Sequence, residues 1–341
     1  MRIPRWATAI AVVTVCVAAA ALGTAGSSNA KPVAGTTIAL VSDIGKFTDK
    51  GFNQSQLAGF NTAKAQLNFT ALPLQSNATS DYSPNFNTAV RKGAKLVIAA
   101  GFLLAGTEAT YAKQFPSVHF AITDDSVHGA DFKGKSVKNI EGLTYAANEG
   151  GCLVGVLAAK MAQKEGGNTI GAVGGLTIPP VDIWIAGYRY CAQKAVPGTK
   201  VLIQYSQDFV ATDKCKTVAT NEISQGAKVV FQVAGGCGLG VFKAADEAGA
   251  WAIGVDVDQY KLGKRVLTSG VKHVERGVIG VIKQEIAGKF KGGTDLNFNL
   301  KNGGIGIGKI NPTVPKAYVT LMNSYKAKII AGKLKVPAAL K

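Results

Sequence analysis

Leu96-Val97-Ile98-Ala99-Ala100-Gly101 is a short apolar run closed by a glycine, and it leads through a stretch of helical spacing to Phe120-Ala121-Ile122-Thr123-Asp124-Asp125. The pattern returns later. Val229-Val230-Phe231-Gln232-Val233-Ala234-Gly235-Gly236 leads through a second helical stretch to Trp251-Ala252-Ile253-Gly254-Val255-Asp256-Val257-Asp258. Each block reads strand, glycine turn, helix, strand ending in carboxylates. Upstream of each block lies a further echo, Ala58-Gly59-Phe60 in residues 53–60 and Ala186-Gly187-Tyr188 in residues 184–188. Apolar or β-branched runs at 37–41, 69–74, 96–100, 119–123, 169–173, 201–204, 229–233 and 251–255 read as strands. Between them, residues 54–67, 106–114, 151–163, 181–195, 215–225 and 239–248 carry helical spacing. Strands alternating with helices predict an α/β protein of parallel sheets wound on both faces. In such sheets the binding crevice lies at the carboxyl ends of the strands. Two similar halves facing each other suit a hinged ligand trap.

The chain has 341 residues, 47% of them hydrophobic and only 17% charged, which excludes a disordered polymer. Its formal net charge is +17. The lysines are scattered singly, with no basic stretch interleaved with aromatics, so nucleic acid is not an expected partner. Part of the charge belongs to the N-terminus. Arg2 and Arg5 precede an apolar run over residues 7–22, and a small-residue stretch then ends in Ser28-Asn29-Ala30. This is the pattern of a signal peptide over residues 1–30, cleaved after Ala30. Cleavage removes 30 residues and two arginines, leaving 311 residues and a net charge of +15. Cys16, preceded by Val15, is the alternative processing point, as a lipid-bearing cysteine. Either route predicts export, to the bacterial cell surface or the periplasm, and a lipid anchor or the basic surface would hold the protein at a membrane. Four further cysteines, Cys152, Cys191, Cys215 and Cys237, suit an oxidising compartment. They allow three pairings, of which Cys191–Cys215 is preferred because both fall in one βαβ stretch. No C-x-x-C occurs and only three histidines are present, so no zinc site and no cofactor is expected.

Two glycine motifs invite enzymatic readings that their contexts oppose. Gly129-Ala130-Asp131-Phe132-Lys133-Gly134-Lys135-Ser136 fits G-x-x-x-x-G-K-[ST], but a phosphate loop must open a helix, and residues 137–144 read as a strand. Gly235-Gly236-Cys237-Gly238-Leu239-Gly240 has G-x-G-x-G spacing rather than that of a dinucleotide site. Neither H-E-x-x-H nor G-x-S-x-G is found, and no nucleophile is set beside a base. A secreted hydrolase would have to rest on Asp43, Asp49, Asp256 and Asp258 as a metal-assisted carboxylate cluster.

The candidate binding residues stand at strand–helix junctions. Asp43 ends the first strand, and Gly51-Phe52-Asn53-Gln54-Ser55 opens the following helix. Phe52 can stack on a planar ring and Asn53 can bond its edge; equally, Asn53 can cap the helix with Phe52 as a hydrophobic staple. Ile178-Pro179-Pro180-Val181-Asp182-Ile183-Trp184 sets an aromatic just inside another helix start, as cleft or core. Asp256 and Asp258 end a buried strand, where carboxylates suit hydroxyls such as those of a ribose. Lys272 follows the next apolar run and can reach the same cleft.

These motifs together resemble the basic membrane protein (BMP) family, nucleoside-binding components of ABC importers. The resemblance is carried by Asp43, Asp49-Lys50-Gly51-Phe52-Asn53-Gln54-Ser55, Gly175-Leu176-Thr177-Ile178-Pro179-Pro180-Val181, the 230–238 glycine run and Ile253-Gly254-Val255-Asp256-Val257-Asp258-Gln259, and it spans about residues 36–330. It implies a type I periplasmic-binding-protein fold, two Rossmann-like lobes joined by a hinge, and no enzymatic activity. The expected division is an N-terminal lobe over 36–145, a C-terminal lobe over 146–268, a return to the first lobe over 269–300 and a C-terminal segment over 301–341. The resemblance further implies a nucleoside, purine favoured, held between Phe52 and Trp184, although the family usually has Phe at the second position. Asp43 and Asn53 would hold the base edge or ribose, Asp256 the ribose hydroxyls, Gly236 would offer its backbone, and Lys272 would complete the polar ring. Cys237 stands where the family often has Thr. The implied partners are ABC permease subunits, with the binding protein a monomer. A nucleoside- or sugar-sensing module presenting its ligand to a receptor is the alternative.

Overall fold

The computed structural model describes Met1, residues 35–129, Phe132 and residues 137–340. The expected leader with its Ala30 cleavage point, Cys16 and most of Gly129–Ser136 lie outside the described residues. Residues 137–139 lead directly into a strand and not into a helix, which removes the context a phosphate loop needs.

Two six-stranded sheets form the molecule. The first has the order β11-β5-β4-β3-β1-β2 and is parallel throughout. Its strands are β1 (Thr37–Ser42), β2 (Thr70–Leu74), β3 (Ala94–Ala100), β4 (His119–Thr123), β5 (Ile140–Tyr145) and β11 (Thr294–Phe298). The second has the order β12-β10-β9-β8-β6-β7, parallel except for β12. It comprises β6 (Thr169–Gly174), β7 (Lys200–Tyr205), β8 (Val229–Val233), β9 (Trp251–Asp256), β10 (Val266–Lys272) and β12 (Ile305–Ile307). The matching orders carry the internal echo into three dimensions, with β3 and β4 corresponding to β8 and β9. The central strands are covered by helices on both faces, which is why they read as near-continuous apolar runs rather than as an alternation. All five residues of β8 and all six of β9 are buried.

The chain passes between the lobes three times: after β5, after β10 and between β11 and β12. Helix α4 (Ala147–Lys164) follows the first passage and packs chiefly on α5 (Pro179–Ala195). A Cβ on Gly151, Gly155 or Gly187 would collide with the facing helix's backbone, so the two helix axes approach closely because those side chains are missing. With α9 (Lys316–Ile330), β10 and β12 also packed on it, α4 is buried on nearly every side and carries few charges. Helix α8 (Val274–Ile286) follows the second passage and packs on α1 (Phe52–Gln66) of the first lobe. Strand β10 pairs with β9 as far as Val271 and with β12 at Lys272, so the return to the first lobe begins after Lys272 rather than at residue 269. Within the C-terminal segment, β12 and α9 (Lys316–Ile330) belong to the second lobe, α9 resting on α4.

The disulfides differ from the preferred pairing. Cys152 joins Cys191, fastening α4 to α5, and Cys215 joins Cys237, fastening α6 (Thr212–Ser224) to the turn before α7 (Leu239–Ala248). Proximity along the chain favoured Cys191–Cys215, but the two cysteines sit in helices that pack on different neighbours. Both bridges lie in the second lobe.

Candidate functional site

A cavity opens between the lobes where the carboxyl ends of β1, β3 and β4 meet those of β8 and β9, with an empty volume of about 550 Å³, its mouth included. In each sheet this is the point where strand order reverses, the position at which doubly wound sheets bind ligands.

From the first lobe, Asp43 leaves β1 almost wholly buried. Its Oδ1 accepts from Gly45 N at 2.8 Å and from Asn53 Nδ2 at 2.8 Å. Asp49 holds the start of α1: its Oδ1 accepts from Gly51 N (2.9 Å) and Gln54 N (3.0 Å), and its Oδ2 from Asn53 N (2.8 Å). The helix is therefore capped by Asp49, four residues ahead of Asn53, whose side chain is released for the cavity. Two carboxylates face the Asn53 nitrogen, so the amide orientation is determined and Oδ1 is left buried without a partner. Phe52 and Gly101 complete this wall.

Asp124 and Asp256 occupy equivalent places after β4 and at the end of β9, and both adopt left-handed backbone, with φ of 66° and 65°. Non-glycine residues rarely do so, and such strain persists where surrounding structure enforces it. Both carboxylates turn to Lys272, which closes β10 and is 3% exposed. Its Nζ lies 2.5 Å from Asp124 Oδ2 and 3.5 Å from Asp256 Oδ1, so a single ammonium ties the lobes. The same Nζ stands 4.6 Å from the Phe52 ring centroid, a cation–π contact.

Burial sets the charge states. It pushes the Asp43 carboxyl up to about 6, against the hydrogen bonds from Gly45 and Asn53. It likewise pushes Asp256 up to about 6, against the pull of Lys272. Burial also raises Asp49. For Lys272, burial opposes the charge, but Asp124 and Asp256 outweigh it and the ammonium is held above its usual range. Four carboxylates thus face one ammonium. Such a cavity suits a neutral ligand rich in hydroxyl and N–H donors and repels a phosphate or an acid. Among the described residues no group of three or more His, Cys, Asp or Glu could hold a metal ion. Asp258 lies outside the cavity, on a groove with Lys50 and Tyr260, so the four carboxylates that a hydrolase would need do not assemble.

Of the sequence-predicted residues, Asp43, Phe52, Asn53, Trp184, Asp256 and Lys272 come together around this one cavity. Trp184 is 1% exposed and meets Phe231 edge to face, centroids 6.1 Å apart. A Cβ on Gly150 or Gly270 would stand 2.5 or 2.6 Å from its ring, so the indole is wedged into the core and only part of it reaches the cavity. Gly236 is displaced from its expected role: Gly235 lines the cavity, while Gly236 faces the Asp49 backbone. Cys237, being disulfide-bonded, has no hydroxyl-like donor to offer. Asp124, Gly101 and Phe209 also line the cavity without having been singled out from sequence, and Asp49 lines it although it was named only for the hydrolase cluster and the motif. Phe209 is half-buried on the loop after β7, and its backbone oxygen accepts from Cys237 N at 3.0 Å. In the internal echo the carboxylates Asp124-Asp125 close the strand that answers the one ended by Asp256, and that pattern was the signal for this position; the strand ends and backbone of the structure make Asp124 the equivalent residue.

The family model for ABC transporter substrate-binding proteins of the PnrA-like (Bmp) type matches residues 36–339. The chain belongs to this family. PnrA-like proteins are non-catalytic solute-binding components of ABC transporters, and this chain has their two-lobed α/β fold. It is 35% identical to the "ABC transporter nucleoside-binding protein BmpA" of Lactococcus lactis subsp. cremoris, over 96% of this chain and 95% of the relative. It is 32% identical to a "CD4+ T-cell-stimulating antigen" of Listeria innocua, over 96% and 98%. Among solved structures, an ABC transporter solute-binding protein of Aeropyrum pernix K1 superposes with a TM-score of 0.80 at 23% identity, covering 90% of this chain and 94% of that one.

Proposed function

We propose that this PnrA-like protein captures a nucleoside, with a purine favoured, between its lobes and delivers it to the permease subunits of an ABC importer. The observation that carries the reading is the composition of the cavity: aromatic rings from both lobes beside two buried acceptors without a hydrogen-bond partner, Asn53 Oδ1 and Asp256 Oδ1. A base stacked on an aromatic ring gains roughly 1–3 kcal/mol. Buried acceptors left unpaired penalise a ligand without hydroxyls, so a nucleoside is preferred over a free base. Phe209 is the better candidate than Trp184 for the second ring, because Trp184 is wedged. The nucleoside-binding name of the 35% identical relative supports the same ligand class. The sequence pattern of a leader supports export, with the protein held at the cell surface by lipid or by charge. Among the described residues no helix is long and apolar enough to cross a membrane.

The test is native mass spectrometry of the purified protein, followed by calorimetric titration with inosine, adenosine, guanosine, cytidine, uridine, ribose and myo-inositol. A purine nucleoside should bind at least tenfold tighter than ribose, a difference of about 1.4 kcal/mol or more. Binding of the sugars alone would sink the nucleoside assignment.

A further inference from the structure

Gln259 lies in the loop between β9 and β10, is 1% exposed and does not line the cavity. Its side chain nevertheless spans the cleft. Gln259 Oε1 accepts from Gln232 Nε2 at 2.7 Å and from Val255 N at 3.0 Å. Two donors converge on that oxygen, so the amide cannot be flipped, and Nε2 must point the other way. There it donates to the backbone oxygen of Lys50, in the first lobe, at 3.0 Å. Gln232 is fixed in turn, because its Oε1 accepts from Ala234 N at 3.0 Å. The backbone of Gln259 is pinned by its N donating to Ser269 Oγ at 3.0 Å.

The bonds form a continuous relay. It starts at Ala234, next to the cavity-lining Gly235, passes through two buried amides and ends at Lys50, between Asp49 and the glycine that precedes Phe52. Lys50 itself has left-handed backbone, φ 56°, which aims its carbonyl. The relay joins the binding walls of the two lobes without touching the space a ligand would fill. When the lobes part, the Gln259 Nε2 donor and the Lys50 oxygen lose each other, while the bonds inside the second lobe remain.

We infer that Gln259 is a positioning residue for lobe closure: a latch, oriented by Gln232 and Val255, that holds the ligand-bound form shut and thereby sets how slowly the ligand leaves. The inference deepens the proposed function and rests on it only for the ligand used as a probe. By linkage, whatever favours the closed form raises the apparent affinity by the same factor.

Gln259→Glu tests it, since a carboxylate keeps acceptors for Gln232 and Val255 but sets an oxygen against the Lys50 oxygen. With inosine as probe, the variant should bind at least tenfold more weakly, chiefly through faster dissociation. Gln259→Met, of similar length and uncharged, gives the same readout should the charged variant fail to fold. Spin labels at the exposed positions of Lys92 and Lys243, one per lobe, report closure without any ligand. The closed fraction should fall in either variant. Unchanged dissociation together with an unchanged label distance would overturn the latch. Failure of the wild-type protein to bind any nucleoside would overturn the ligand assignment, and the label distances would still decide the latch.

Discussion

At the scale of single residues, the cavity is defined by carboxylates that the fold does not fully neutralise. Asp43 and Asp256, raised to about 6, are ionised at neutral pH and take up protons as the pH falls through 6. Ionised, they accept from hydroxyl and N–H donors; protonated, each loses acceptor capacity. Nucleoside affinity should therefore be flat above pH 7 and decline below about 6, as titration calorimetry across pH 5–8 will show. Asp256→Ala should weaken binding at least tenfold, about 1.4 kcal/mol, and so should Phe209→Ala. Trp184→Ala should act first on folding: removing a wedged indole from a core costs about 3–5 kcal/mol, visible as a lower melting temperature in the ligand-free protein. Should Phe209→Ala leave affinity untouched, the second stacking ring is not Phe209. Most of these residues were legible in the sequence because strand ends announce themselves by polar residues after apolar runs. Phe209 was not, since it stands on an irregular loop where no periodicity marks it. For Trp184 the sequence left cleft and core open, and the structure gives it part of both: it lines the cavity, and its bulk meets glycines at positions 150 and 270 that only the packing pairs with it.

Among the elements, the legible ones are the short apolar or β-branched runs. β1, β3, β4, β6, β8 and β9, mostly covered on both faces, appear at nearly their sequence-predicted bounds. So do the half-exposed edge strands β2 and β7, whereas the buried β10, with Thr268, Ser269 and Lys272 in it, was not read as a strand. The opposite edges lack such runs. Three of the five residues of β11 (TDLNF) are polar, and all five are exposed or half-buried, while β12 has only three residues. Helices α8, α9 and α2 (Tyr82–Arg91) were not read from sequence, although α8 buries a regular stripe of Val274, Gly277, Val278, Val281 and Ile282. One helix carries a testable cost. Glu222 in α6 is wholly buried against Gly171 of β6, and burial pushes its carboxyl up to about 8, against the Ala172 backbone amide. The unfolded chain ionises this group near its ordinary 4.5, while the folded protein keeps the proton until about 8, so its contribution to stability falls between those values and stays low above them. Glu222→Gln should consequently raise the melting temperature by a few degrees at pH 8 and by almost nothing at pH 4.5. Scanning calorimetry at the two pH values checks this; an equal shift at both would remove titration as the cause.

Over the whole molecule, the net charge of +17 and the acidic cavity are separate features. The basic surface acts over distances that salt screens, whereas a neutral ligand in a buried site feels little of that screening. Raising salt from 50 to 500 mM should release the protein from anionic vesicles and change nucleoside affinity less than threefold. Ligand saturation should also reduce the radius of gyration measured by small-angle scattering, as the lobes close. The two-lobed plan was legible because the chain repeats itself; the three passages between lobes were not, since they depend on which sheet a strand joins, and β10 looks no different in sequence from a strand of the first lobe. Duplication also leaves an asymmetry in how the halves are fastened. The first lobe, built from residues 37–145 and 274–298, contains no cysteine, while the second holds both bridges. Production in a reducing cytosol would then yield a first lobe as sturdy as in the disulfide-bonded protein, joined to a second lobe short of two staples. Yield, protease sensitivity and shelf life of such a preparation would be governed by residues 147–272, and host compartment, more than temperature or buffer, would decide the quality of the product.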